Sequence, residues 1–294
     1  MKAKSSKGNW ILKPRLGLPA VFLLCSFVFI AGFFASNLLS QNIAGDAKAG
    51  QRERRQLHPV KDEKIKYETL PKGETGDDFL SVIPFQVLSW KPRAQYFPKF
   101  ASAEQCRRII DMAKANLTPS TLALRMGETE ENTKGIRTSS GMFISADEDK
   151  TGLLGIIEEK IARVSMLPTA HGEPFNVLRY EIGQKYDSHY DAFNPAEYGP
   201  QKDQRVASFL LYLSDVQGGE TMFPFENGNI DENYDFQKCG GLKVKPRQGD
   251  GLLFYSVFLN TTIDPTSLHG SCPVVRGEKW VATKWIRDRE RIND

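Results

Sequence analysis

Imidazoles are few in this sequence, and two of them with one carboxylate are spaced to hold a metal together. The 294 residues include four histidines. One of these, His189, stands two residues before a carboxylate, Asp191. Side chains alternate along an extended segment, so His189 and Asp191 project to the same side. His269 lies far downstream. His-x-Asp with a distant histidine is the pattern of the two-histidine, one-carboxylate facial triad, which suits Fe(II) and leaves three coordination positions open. Two of those can take a 2-oxo acid through its keto and carboxylate oxygens, and the third can take dioxygen. The tripeptide alone is common by chance, so its weight depends on the chain beyond His269. From Lys279 to Trp285 the residues alternate, with Lys279, Val281, Thr283 and Trp285 on one face of a strand and Trp280, Ala282 and Lys284 on the other. If the Trp285 face turns inward, Lys279 is buried, and the far carboxylate of a dicarboxylic acid would suit its ammonium group. If the Trp280 face turns inward, Lys279 snorkels to solvent. Spacing alone leaves both readings open.

The elements that must hold these residues are legible in outline. Ser102 followed by Gln105 is a capping-box pattern, and Cys106, Ile109, Ile110 and Ala113 recur at helical spacing behind it. Leu153, Ile156, Ile157, Ile161 and Val164 predict a second amphipathic helix. After Pro174 the pattern turns to strands. Leu178, Tyr180 and Ile182 alternate with polar residues, as does Leu242-Lys243-Val244-Lys245. The runs 209–213 and 252–255 are short and apolar, and Gly218-Gly219, Pro224, Pro246 and Gly249 punctuate them. Helices first and many short strands afterwards predict an α+β fold with helices supporting a β-sandwich or jelly roll.

Composition divides the chain into four segments. Residues 1–15 carry Lys2, Lys4, Lys7, Lys13 and Arg15 without an acid, and residues 16–39 are uncharged and mostly apolar. As a helix the second segment would reach about 36 Å, enough to cross a hydrocarbon core of about 30 Å. It is longer than a signal-peptide apolar region, and Phe33-Phe34-Ala35-Ser36-Asn37 makes a poor cleavage site. The basic flank predicts a cytosolic tail, a single-pass type II anchor and a lumenal remainder. Residues 40–78 read as a polar stem that cannot bury a core, and residues 79–294 as one globular domain. A net charge of +3 argues against a nucleic-acid partner. Of the four cysteines, Cys25 lies in the apolar segment. Cys106, Cys239 and Cys272 form no C-x-x-C pair, so a cysteine zinc site is not expected. Asn116 and Asn260 open glycosylation sequons, the first followed closely by Pro119.

Several stretches taken together resemble the prolyl 4-hydroxylases, in particular the plant-type membrane-anchored enzymes. They are Arg137-Thr138-Ser139-Ser140-Gly141-Met142-Phe143; Leu178-Arg179-Tyr180-Glu181 through His189-Tyr190-Asp191; Gly218-Gly219-Glu220-Thr221; and Asp264 through Pro273. The spacing from His269 to Lys279 matches as well. The resemblance spans roughly residues 80–288. It implies a double-stranded β-helix (jelly-roll) core and an Fe(II)/2-oxoglutarate dioxygenase of the procollagen-proline 4-dioxygenase type, using O2 and ascorbate. It makes His189, Asp191 and His269 the iron ligands. Lys279 would pair with the distal carboxylate of 2-oxoglutarate, helped by Tyr180 and Thr221, with Trp285 as a wall. Arg137, Tyr186, Arg205 and Glu173 would line a peptide groove. A disulfide between Cys239 and Cys272 is implied, leaving Cys106 free. The implied substrate is peptidyl proline in secreted proline-rich proteins, hydroxyproline-rich wall glycoproteins or collagen-like chains, in the endoplasmic reticulum or Golgi.

Other readings are weaker. A lysyl hydroxylase or a cytosolic oxygen-sensing prolyl hydroxylase typically has arginine where this chain has Lys279. A nucleic-acid demethylase does not fit the anchor. A lumenal binding protein for proline-rich peptides or glycans on the same fold would have no reason to keep His189, Asp191, His269 and Lys279 together.

Overall fold

The computed structural model describes residues 83–290. The expected tail, anchor and stem lie outside them. Among the described residues no helix is long and apolar enough to cross a membrane.

The chain enters through a hairpin, β1 (Gln86–Trp90) and β2 (Arg93–Phe97), ahead of any helix. The sequence pattern puts helices first instead, because these two strands are short and polar enough to read as loop. Helix α1 (Ala103–Lys114) comes next with the full capping box, Ser102 accepting from Gln105 N–H and the Gln105 side chain reaching back. Its buried face is Gln105, Cys106, Ile109 and Ala113, while Ile110 is only partly covered. Then come β3 (Thr118–Pro119), β4 (Ser140–Ile144) and helix α2 (Leu153–Ser165). Leu154 and Lys160 join the expected Leu153, Ile157 and Ile161 on the buried face of α2.

The remaining strands are β5 (Phe175–Tyr180), β6 (Tyr186–His189), β7 (Arg205–Tyr212), β8 (Gln217–Gly218), β9 (Thr221–Phe223), β10 (Leu242–Val244), β11 (Gly251–Tyr255), β12 (His269–Ser271), β13 (Val274–Arg276) and β14 (Lys279–Arg287), with a one-turn helix α3 (Pro195–Tyr198) between β6 and β7. Strand β5 stops at Tyr180, short of the expected Ile182. A turn closed by Gln184 N–H to Glu181 O, with Gly183 at φ 79°, ends it and leaves Ile182 exposed.

An eight-stranded antiparallel sheet runs β1-β2-β11-β7-β14-β5-β4-β3, and a four-stranded one runs β10-β9-β12-β6. Two cores occupy the two faces of the large sheet. On one face Phe175, Val177, Phe209, Leu211, Trp280 and Ala282 pack with Ile109, Leu154 and Ile157 of the helices. On the other, Leu178, Tyr180, Tyr212, Phe254 and Val281 meet Phe223 and Val244 of the small sheet. Period-two alternation in β5, β7 and β14 thus feeds both layers, which is why those strands are apolar on both sides. The antiparallel, sheet-rich architecture with few helices is consistent with the expected jelly roll.

Candidate metal centre and co-substrate cavity

The site lies where the small sheet faces β14. Strands β6 and β12 pair antiparallel with His189 directly opposite His269, so the two imidazoles stand on one rung, ring centroids 4.4 Å apart. Asp191 lies two residues beyond the end of β6. Its Oδ1 is 3.5 Å from His189 Nε2 and its Oδ2 is 3.5 Å from His269 Nε2. All three donor groups lie within 4.8 Å of one another.

Three observations fit this group to a cation. His189 Nδ1 lies 2.9 Å from Asp187 O, and His269 Nδ1 lies 3.0 Å from Ser267 O. A carbonyl can only accept, so each Nδ1 carries a hydrogen, which leaves Nε2, the nitrogen facing Asp191, as the one that can ligate. Burial alone would raise the Asp191 carboxyl, but the facing His269 and His189, with Arg205 beyond, hold it well below the usual carboxylate range. Burial also pushes the His269 imidazole down to about 4, keeping it neutral at physiological pH despite the neighbouring carboxylate. An imidazole nitrogen from each histidine and an ionised carboxylate are the donor set a divalent ion needs.

The carboxylate is oriented by a residue that sequence reasoning misses. Ser208, fully buried on β7, donates from Oγ to Asp191 Oδ2 at 2.5 Å. Its position on the same inward face as Leu210 and Tyr212 is the available signal. Tyr186 stacks on the His189 ring at 3.6 Å, and the Arg137 guanidinium sits 4.8 Å over the Tyr186 ring.

Beside the triad is an inner cavity of about 40 Å³, lined by Tyr180, Thr221, Lys279, Thr283 and Trp285 together with the three ligand candidates. The ambiguity over β14 is resolved here. Lys279, Val281, Thr283 and Trp285 all line the cavity, while Trp280 and Ala282 pack under the helices. Lys279 is 1% exposed. Its Nζ donates to Ser271 Oγ at 2.8 Å and sits 5.1 Å over the Tyr180 ring, and no carboxylate among the described residues forms an ion pair with it. Burial pushes its ammonium from 10.5 down to about 7, against a weak pull from Glu220. A buried cation of this kind calls for an anion from outside. Ser271 also goes unnoticed in the sequence, although it stands two residues after His269 on the same strand. Thr221 accepts from the Tyr212 hydroxyl at 2.8 Å. The buried indole N–H of Trp285 has no protein partner among the described residues.

A cleft of about 930 Å³ shares Arg137, Tyr186, His189, Asp191 and Trp285 with the inner cavity, and its lining also includes Arg205. Glu173 is not part of that lining. Its carboxylate takes two hydrogen bonds from Arg205, at 2.7 and 2.8 Å, and one from Arg287 at 2.7 Å. The Arg205 guanidinium then lies 3.7 Å over the Trp285 ring. Glu173 therefore fixes Arg205 instead of facing the cleft. Cys239 and Cys272 are joined in a disulfide, and Cys106 is free and buried. A second donor cluster, Glu220 with Cys239 and Cys272, has both sulfurs committed to that bond. Asn260 is exposed at a loop tip, its Oδ1 accepting from Thr262 Oγ1 at 2.7 Å, and Asn116, also exposed, borders the cleft.

Residues 175–287 match the sequence profile of the 2OG-Fe(II) oxygenase superfamily. The chain is 63% identical to Arabidopsis thaliana "Probable prolyl 4-hydroxylase 9" over 281 residues, 95% of this chain and 96% of the relative. It is 54% identical to Arabidopsis thaliana "Prolyl 4-hydroxylase 13" over 278 residues, 94% of this chain and 96% of the relative. A viral collagen prolyl hydroxylase of Paramecium bursaria Chlorella virus-1, solved with 2OG, aligns at 25% identity and a TM-score of 0.48 over 66% of this chain and 95% of that one. The sequence profile and the donor set define an Fe(II)- and 2-oxoglutarate-dependent oxygenase. Within that class the chain belongs to the prolyl 4-hydroxylase family. It is accordingly an oxidoreductase using Fe(II), 2-oxoglutarate, O2 and ascorbate.

Proposed function

We propose that this enzyme converts peptidyl proline to 4-hydroxyproline in proline-rich secreted polypeptides, coupled to decarboxylation of 2-oxoglutarate to succinate and CO2. The observation that carries the reading is Lys279, a buried ammonium without a counter-ion among the described residues, in the same cavity as the His189, Asp191 and His269 donors. In this reading those three side chains hold Fe(II), which when bound supplies the oxidising power for C–H hydroxylation. Lys279 binds the distal carboxylate of 2-oxoglutarate, Ser271 and Thr221 offer it hydroxyls, and Tyr180 and Trp285 close the pocket against water. Arg137, Tyr186 and Arg205 line the peptide groove outside, with Glu173 fixing Arg205. An extended polyproline II chain suits such a groove because it loses little entropy on docking.

The finer readings belong to the same proposal. The two sheets form a double-stranded β-helix. Residues 16–39 anchor the chain in the endoplasmic reticulum or Golgi membrane with the oxygenase domain in the lumen. Wall hydroxyproline-rich glycoproteins are the substrates, and Asn116 and Asn260, both exposed, are the glycosylation sites. The test supplies the full-length protein in detergent with Fe(II), 2-oxoglutarate, ascorbate and a poly-L-proline peptide. Mass spectrometry reads a gain of one oxygen on proline, absent with His189→Ala and strongly reduced with Lys279→Ala. No oxygen gain with the unmodified protein on any proline-rich peptide overturns the reading.

A further inference from the structure

Residues 224–241 join β9 to β10 in a long loop that carries three aromatic side chains. Phe225 and Tyr234 meet edge to face at 5.4 Å, and Tyr234 and Phe236 at 5.7 Å. The Tyr234 hydroxyl donates to Lys238 O at 2.6 Å and lies 3.3 Å from Ser188 Oγ. The Phe236 carbonyl accepts the Ser188 N–H at 2.9 Å, which bonds the loop to β6 one residue before His189. Three residues further on, Cys239 is bonded to Cys272, just past the end of β12. The loop is thus fastened to both strands that carry the histidines.

Phe236 lies on this fastened stretch. The residue is 52% exposed and lines the cleft beside Tyr186 and His189. Its position in the lining of a concave site that also holds the metal-ligand candidates is what places this ring for ligand contact. The charges nearby say what kind of ligand. Arg205 is engaged by Glu173 at 2.7 Å, and Arg125 by Glu197 at 2.7 Å. Arg137 forms no ion pair with an acid among the described residues and donates instead to Ser139 Oγ and Thr121 O. With most of its charge paired internally, the cleft fits an uncharged, ring-bearing chain better than a strongly charged one.

We infer that Phe236 is a specificity-determining residue that stacks on a pyrrolidine ring flanking the proline presented to the metal centre. The loop fastened at Ser188 and Cys272 is then a fixed arm that sets affinity for extended proline-rich peptides. This rests on the proline-hydroxylase reading above and deepens it.

Steady-state kinetics on the full-length protein with Fe(II), 2-oxoglutarate and poly-L-proline test it. Phe236→Ala raises KM for the peptide on the order of tenfold, the loss of one aromatic contact at an interface. It leaves KM for 2-oxoglutarate unchanged. Phe236→Tyr keeps the ring and stays within about twofold of the parent. Leu259→Ala, which trims a side chain 98% exposed on another loop, alters none of these constants. An unchanged peptide KM in Phe236→Ala, with the parent hydroxylating normally, sinks this inference and leaves the hydroxylase reading standing. A parallel rise in KM for 2-oxoglutarate also overturns it, because the loop would then act through the metal strand. If the parent adds no oxygen to the peptide, the underlying reading falls first and takes the inference with it.

Discussion

Lys279→Met tests the proposed co-substrate pocket in two opposite directions at once. Burial holds the Lys279 ammonium near 7 instead of 10.5. At 1.36 kcal/mol per pH unit, keeping that charge in the interior costs on the order of 5 kcal/mol. Methionine matches the length of the stem and carries no charge. In the protein without co-substrate the variant is therefore more stable at neutral pH, by about 1–4 kcal/mol once imperfect packing is allowed for. The pH dependence has a definite sign. An unfolded lysine keeps its proton to about pH 10.4, while the folded one releases it near 7, so in that window the unfolded state binds more protons and parent stability rises with pH. The advantage of the variant over the parent is full below about pH 7 and shrinks as pH approaches 10. Binding of 2-oxoglutarate runs the other way. Removing one partner of a buried charge pair costs about 2–5 kcal/mol, so KM for 2-oxoglutarate rises roughly thirtyfold or more. Thermal unfolding of the metal-free protein at about pH 6.5 and about pH 9.5 reads the first effect, and steady-state titration of 2-oxoglutarate reads the second. A variant that melts no higher at the lower pH, or that keeps its KM for 2-oxoglutarate, refutes the assignment of an unpaired ammonium to this pocket.

The geometry sets three further outcomes. Ser208→Ala frees Asp191 Oδ2 and weakens Co(II) binding by on the order of tenfold, seen in titration of the d–d absorbance, while Ser208→Thr retains the hydroxyl and most of the affinity. Cys239→Ser with Cys272→Ser opens a loop of sequence separation 33, and the chain-entropy model gives a loss of about 4 kcal/mol, a fall of roughly 8–15 °C in Tm by calorimetry. Asp191→Ala abolishes saturable Co(II) binding while leaving the far-ultraviolet circular dichroism of the sheets unchanged.

Features that depend on near neighbours are legible in the sequence. The capping box at Ser102 and Gln105, the buried stripe of α2 and the pairing of His189 with Asp191 each need only a few residues of context. Lys279 cannot be oriented that way, because both faces of β14 are apolar enough to be inner. Only its pairing with β5 and β7, where Lys279 stands opposite Tyr180 and Trp285 opposite Ser208, decides which face meets the small sheet. Ser208 and Ser271 escape notice for the same reason. A serine becomes significant through the carboxylate or ammonium that a distant strand brings to it. The family resemblance puts Glu173 in the groove, whereas two arginines that converge on it from β7 and β14 decide its actual role.

The rung shared by His189 and His269 has a mechanical consequence. An ion gripped from both sides of that rung would act as a cross-link between chain segments 80 residues apart in sequence (269 − 189). Metal and the closure of the small sheet would then reinforce each other, and chelation would loosen β6 and β12 before it disturbed the larger sheet. Hydrogen exchange at Ser188 and Gly270, tracked with and without Co(II), would read that coupling amide by amide.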